Sequence, residues 1–182
     1  MVTAHLEREF IAAARAAGAE VERFAGITPA LDFGRSILRD LDVRDVTVSP
    51  DLSFPAARLK GWPILKPGPK KDYLKAGAGL VRADYGISKT GTLVHLDRSD
   101  EEKMVWTLPP VCLCLLEAGR IVPDLDVLAD VLSRHLDLTD QESPQVSLVT
   151  GPSRTADIEC ELSLGVHGPG RLVVLLFGDE PS

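Results

Sequence analysis

Three short stretches of this sequence hold residues able to do chemistry. The richest is Thr150-Gly151-Pro152-Ser153-Arg154-Thr155-Ala156-Asp157-Ile158-Glu159. It leaves an apolar run, turns through Gly-Pro, and offers Ser153 and Thr155 as N-caps for a following helix. The first N–H groups of a helix lack partners and its dipole end is positive, which suits a carboxylate or phosphate. Arg154 adds a guanidinium able to clamp the same anion, with Asp157 or Glu159 to orient it. The plain alternative is an ion pair between Arg154 and Asp157 along that helix.

The second stretch runs from Asp84 to Thr90-Gly91-Thr92. Either the hydroxyls and Asp84 face a shared crevice, or the threonines satisfy their own backbone in a polar turn. The third is Gly165-Val166-His167-Gly168-Pro169-Gly170, where His167 either approaches a ligand or braces a sharp turn. We expect 151–154, the start of the next helix, 90–92 and 165–169 to converge on one anion-binding crevice. No Ser/His/Asp order follows from the spacing.

Metal chemistry finds little support. Cys112 and Cys114 are two apart on an apolar run, so both point to one face beside Leu116 as small core residues. There is no Cys-x-x-Cys, no Walker A loop and no Gly-x-Gly-x-x-Gly. No metal and no cofactor is expected.

The elements that must position these residues follow from hydrophobic spacing. Leu6, Phe10, Ala14 and Ala17 share one side of a helix over 4–17 that stops at Gly18. A strand at 21–24 precedes a helix opening at Thr28-Pro29, with Ile37, Leu38 and Leu41 as its core contacts. Strands are expected at 45–48, 80–84, 92–96, 111–116, 145–149 and 172–177. A helix over 123–136 carries Leu125, Leu128, Ala129 and Leu132 on one stripe, and a short helix carries Ile158 and Leu162. Runs as apolar as Val111-Cys112-Leu113-Cys114-Leu115-Leu116 suit strands buried on both faces. Such strands alternating with amphipathic helices give an α/β fold with a largely parallel, doubly covered sheet. One domain over 1–182 is expected: an N-terminal helical part (1–50), an irregular Pro/Gly-rich loop (51–79) and a core (80–178). Within the loop Trp62 reads as a packing plug, and a loop of this length suits a lid or binding role.

The chain has 182 residues, 45% hydrophobic and 26% charged, with a net charge of -7. That composition belongs to a globular chain, not a disordered one. Its field repels phosphate polyanions, and the basic run Lys66-Pro67-Gly68-Pro69-Lys70-Lys71 is short and broken by prolines, so no nucleic-acid partner is expected. The charged N-terminal stretch and the short apolar runs predict no signal peptide, no membrane span and a cytoplasmic protein. Three cysteines make no disulfide framework.

The run 150–159, followed after five residues by Gly165-Val166-His167-Gly168-Pro169, closely resembles the lactate-utilisation protein C family (LutC/YkgG, the LUD domain). Asp84 through Thr90-Gly91-Thr92-Leu93-Val94 looks like its other signature, and Leu108-Pro109-Pro110 and Arg120-Ile121-Val122-Pro123 also fit. The likeness covers about the C-terminal 110 residues. One departure is Lys89, where many family members carry an acid, so no role of that acid transfers here. The resemblance implies a three-layer α/β/α sandwich like the NagB/RpiA/CoA-transferase group. It also implies participation in oxidising L-lactate to pyruvate, as a clusterless accessory subunit beside separate iron–sulfur proteins. Two other readings stand alongside: an enzyme acting on a small carboxylate, phosphate ester or CoA derivative, and a non-catalytic anion sensor or scaffold. Whether the chain catalyses anything is left open by its residues.

Overall fold

The computed structural model describes residues 2–52, 56–65, 73–97, 99–135, 145–156, 162–164 and 168–178. Helix α1 (Val2–Ala16) buries Phe10 and Ala14, with Leu6 and Ile11 beside them. It ends where Gly18 takes φ +93°, so that the Ala19 N–H reaches the Ala14 carbonyl and the Gly18 N–H that of Arg15. Paired bonds of this kind satisfy carbonyls that the helix itself leaves open.

Strand β1 (Glu20–Phe24) leads to α2 (Ile27–Asp40), which buries Ala30, Leu31, Ile37 and Leu38. Leu41, expected in the core, is 43% exposed: the helix ends at Asp40, and Leu41 lies in the cap beyond the buried stripe. Then come β2 (Val46–Val48), β3 (Ala78–Arg82), β4 (Tyr85–Ile87), β5 (Thr92–Asp97) and α3 (Asp100–Thr107). The chain continues through β6 (Val111–Glu117), β7 (Ile121–Val122), α4 (Leu125–His135), β8 (Gln145–Val149) and β9 (Arg154–Ala156). It closes with β10 (Leu162–Leu164) and β11 (Arg171–Phe177).

Strands β1, β11, β6, β3 and β2, in that order, form a five-stranded sheet in which every neighbouring pair is parallel. Alternation along its central strands feeds two cores. Leu113, Leu115, Val173 and Leu175 pack with α2 and Trp62, whereas Cys112, Cys114, Leu116, Leu172, Val174 and Leu176 pack with α1 and Val105 of α3. The result is a three-layer α/β/α arrangement, and it explains the near-continuous apolar runs. Trp62 is a plug, its ring against Gly34 of α2.

Beyond Arg82 the chain passes through Ala83 and Asp84 into a second sheet of order β7-β4-β5-β8, in which β5 is antiparallel to both neighbours. Helix α4 covers it through Leu128, which meets Ile87 and Val94. Leu125 and Ala129, expected on the buried stripe, are exposed, because α4 meets this small sheet along one narrow line. Inside the expected loop, a turn of 3-10 helix (Ala56–Leu59) precedes a parallel bridge between Val46 and Ile64.

Of the short helix expected to carry Ile158 and Leu162, residues 157–161 lie outside the described ones, and the described residues on either side are strands. β9 and β10 pair antiparallel, Arg154 opposite Leu164 and Ala156 opposite Leu162. Leu162 and Leu164 are two apart, as the alternation of a strand requires.

Candidate functional site

The β4–β5 ladder carries chemistry at both ends. At one end Thr90 Oγ1 and Thr92 Oγ1 lie 2.7 Å apart, and Thr92 Oγ1 lies 2.7 Å from Thr150 Oγ1 at the end of β8. Three hydroxyls joined by two hydrogen bonds keep one proton to donate outward. They border a cleft of about 370 Å³ whose walls include Ile87, Leu125 and Leu148. At its rim Lys89 Nζ lies 2.7 Å from Asp124 Oδ2, while Asp124 Oδ1 accepts from the Val127 N–H as the cap of α4. The Asp124 hydrogen bond raises the Lys89 pKa and the same bond lowers that of Asp124. Lys89 is thus already neutralised, with Asp126 nearby, and the described rim supplies no spare positive charge.

The glycines of the two motifs serve packing. Gly91 has φ +64°, and a Cβ there would sit 2.1 Å from the Ala14 nitrogen. Gly151 has φ +71°, and its Cβ would sit 2.3 Å from the Ala17 carbonyl oxygen. Both let the end of α1 lie directly on the turns, and the buried Ser88 hydroxyl bonds Glu9 of α1 beside them. Ser153 donates its N–H to the Pro169 carbonyl at 2.9 Å, which brings 151–153 against 168–169. Arg154 and Thr155 lie in β9. A strand at 154–156 stands where Thr155 was expected to cap a helix. Asp157, Glu159 and His167 lie outside the described residues.

Asp84 stands at the other end of the ladder, away from the threonines. Its Oδ2 accepts the Leu96 N–H at 2.8 Å. Around it are His95 and Asp97 of β5, Trp106 of α3, and Ser49 and Asp51 just beyond β2. Asp97 accepts Trp106 Nε1 through Oδ1 at 3.1 Å and the Ser147 hydroxyl through Oδ2. The His95 ring stacks on Trp106, centroids 5.4 Å apart and planes 10° from parallel. Burial pushes the His95 pKa below its ordinary 6.5, against the raising pull of Asp97 and Asp84. The sequence reading missed His95, Asp97 and Trp106. Two polar residues at alternate positions of one strand, with Asp84 paired across from them, were the available signal.

The residues 7–177 match the LUD domain, and the chain belongs to that family. A lactate utilization protein C from Bacillus pumilus is 32% identical over 106 residues, 58% of this chain and 44% of that protein. Its namesake from Bacillus subtilis is 28% identical over 106 residues, with the same shares of 58% and 44%. The uncharacterized protein YkgG of Escherichia coli is 31% identical over 105 residues, 58% of this chain and 46% of its own length. The chain therefore spans less than half the length of these curated relatives. A crystal structure of a DUF162 family protein from Deinococcus radiodurans shares the fold, with a TM-score of 0.74 at 20% identity over 98% of this chain and 99% of that one.

Proposed function

We propose that this LUD-domain chain takes part in oxidising L-lactate to pyruvate as an accessory subunit without a cluster, beside separate iron–sulfur proteins. The relatives named lactate utilization protein C support the pathway. The observation that carries the accessory role is the placement of Cys112 and Cys114. Both are sealed between sheet and helices, and burial pushes the Cys112 thiol up to about 12 and that of Cys114 well up. Iron–sulfur clusters need accessible thiolates, which these two residues do not offer; Cys160 lies outside the described residues.

The test is purification of the tagged chain from its native host grown on L-lactate. Iron–sulfur proteins should come with it, and the chain stripped of them should be free of iron. Stoichiometric iron in the stripped chain, or no iron–sulfur companion, would overturn the reading.

A second reading, an anion sensor, rests on the threonine cleft. The outward proton of the Thr90–Thr92–Thr150 chain suits a small carboxylate, with Arg154 on the adjoining β9. Thermal shifts with lactate and pyruvate should be lost in Thr92→Val and Arg154→Ala. Persistence in both would end this reading.

A further inference from the structure

Strand β8 is an edge: among the described strands its one neighbour is β5, and the register between them is unbroken. Exposed edges are commonly shielded by charges, prolines or bulges. Gln145-Val146-Ser147-Leu148-Val149 has no charged residue and no proline. Val146 and Leu148 stand opposite Leu96 and Val94 of β5, and directly opposed residues point to one face. That face is the one α4 packs on, since Leu128 meets Val94. The helix leaves its outer part bare: Val146 is 41% exposed, Leu148 50%, and Leu125 of α4 55%. Leu125 and Leu148 are also walls of the threonine cleft.

We propose that two copies of this chain meet at this edge, β8 pairing antiparallel with the copy's β8 about a two-fold axis at Ser147. The spacing selects that register. With Ser147 opposite itself, Val146 faces the copy's Leu148 and Leu148 the copy's Val146, so each exposed apolar residue meets another. A slip of one residue turns them to opposite faces, and a slip of two leaves one of them facing Thr150 or Pro144. An axis perpendicular to the sheet sets both copies of α4 on the same side, flanking these side chains. The copy's Val146 then lies against Leu148, so the wall that one chain leaves open is completed by the other. A five-residue edge and three half-exposed apolar side chains offer on the order of 500 Å² per copy, under the roughly 800 Å² of a standard interface. The dimer is therefore weak and reversible. A net charge of -7 on each chain opposes it, and salt that screens this repulsion strengthens it.

The test is sedimentation equilibrium of the whole chain over a wide range of concentration. The mass should rise toward that of two chains, and at lower concentration when salt is added. Leu148→Lys sets an ammonium against an apolar side chain twice in each dimer and should raise the dissociation constant at least about tenfold. Its melting temperature when dilute should stay unchanged, because the position is exposed; Val146→Lys should behave alike. The register is read by oxidation in a Cys160→Ser background. A mixture of Val146→Cys and Leu148→Cys chains should form a mixed disulfide and neither variant alone should, because only directly opposed residues come within disulfide reach. A chain that stays monomeric at every concentration would overturn the proposal and leave the edge to some other partner. A dimer indifferent to both lysine variants, or single-variant disulfides as abundant as the mixed one, would overturn it too. None of these readouts involves lactate or the iron–sulfur companions, so this interface and the proposed function fail separately.

Discussion

The two ends of the β4–β5 ladder are built on opposite principles. At the threonine end, two glycines let the backbone of α1 come closer than any side chain permits, and the hydroxyls border an open cleft. At the histidine end, an indole, an imidazole and a carboxylate interlock until only a water-sized space is left. One end can admit a molecule, the other an atom. The difference teaches that a glycine beside a cleft is not thereby a ligand glycine. Gly91 and Gly151 answer first to α1, just as Asp97 answers first to the indole and the hydroxyl that it holds.

The comparison breaks most visibly at Gly91. Replacing it with Val adds left-handed strain to a backbone clash with Ala14, and stability should fall by about 4 kcal/mol or more in urea unfolding. Gly119→Ala, where nothing lies within 4 Å, serves as the control and should be nearly neutral. Wild-type stability in Gly91→Val would return that glycine to the cleft.

Next in size is Asp97→Ala, which strands the Trp106 and Ser147 donors. Denaturant titration should show a loss of roughly 2–3 kcal/mol, and Asp97→Asn should recover part of it.

A pH series sharpens the contrast further. The folded His95 pKa lies below 6.5, so the unfolded chain takes up this proton first. The contribution of His95 is then fully present above 6.5 and is lost as the pH falls through that value toward the folded one. Its slope should reach at most ~1.4 kcal/mol per pH unit, and His95→Gln should flatten it. An unchanged slope in the variant would mean that His95 is already charged when folded.

The smallest effect belongs to the cleft rim. Lys89→Ala removes only a solvent-screened pair and should leave the melting midpoint unchanged, whereas Asp124→Ala also uncaps α4 and should lower it. Equal midpoints for both variants would show that the cap contributes nothing.

The sheet was legible because Val111-Cys112-Leu113-Cys114-Leu115-Leu116 and the run 172–177 can be buried only between two layers. Strand β4 was hidden by its length: three residues set no period. Helix α3 was overlooked despite a usable signal, since Ser99 precedes three acids and its side chain accepts the Glu102 N–H. Strands β9 and β10 were hidden in the same way as β4, because three residues each set no period. Of the candidate site, the threonines and the glycine turns were visible as motifs. His95 and Asp97 were not, because the face they share with Leu93 is half polar and carries no amphipathic pattern.

Strand β11 lies between β1 and β6, pairing Val21 with Val174 and, on its other side, Val174 with Cys114. The last described strand therefore joins β1 to the rest of the sheet. Until residues 171–177 leave the ribosome, β1 has no neighbour and one edge of the strongly apolar β6 stays bare. Contacts this far apart in the chain make for slow folding, and an exposed apolar edge invites association with other chains. The nascent protein should thus depend on chaperones until β11 is made, and ribosome-bound chains ending before residue 171 should be protease-sensitive throughout.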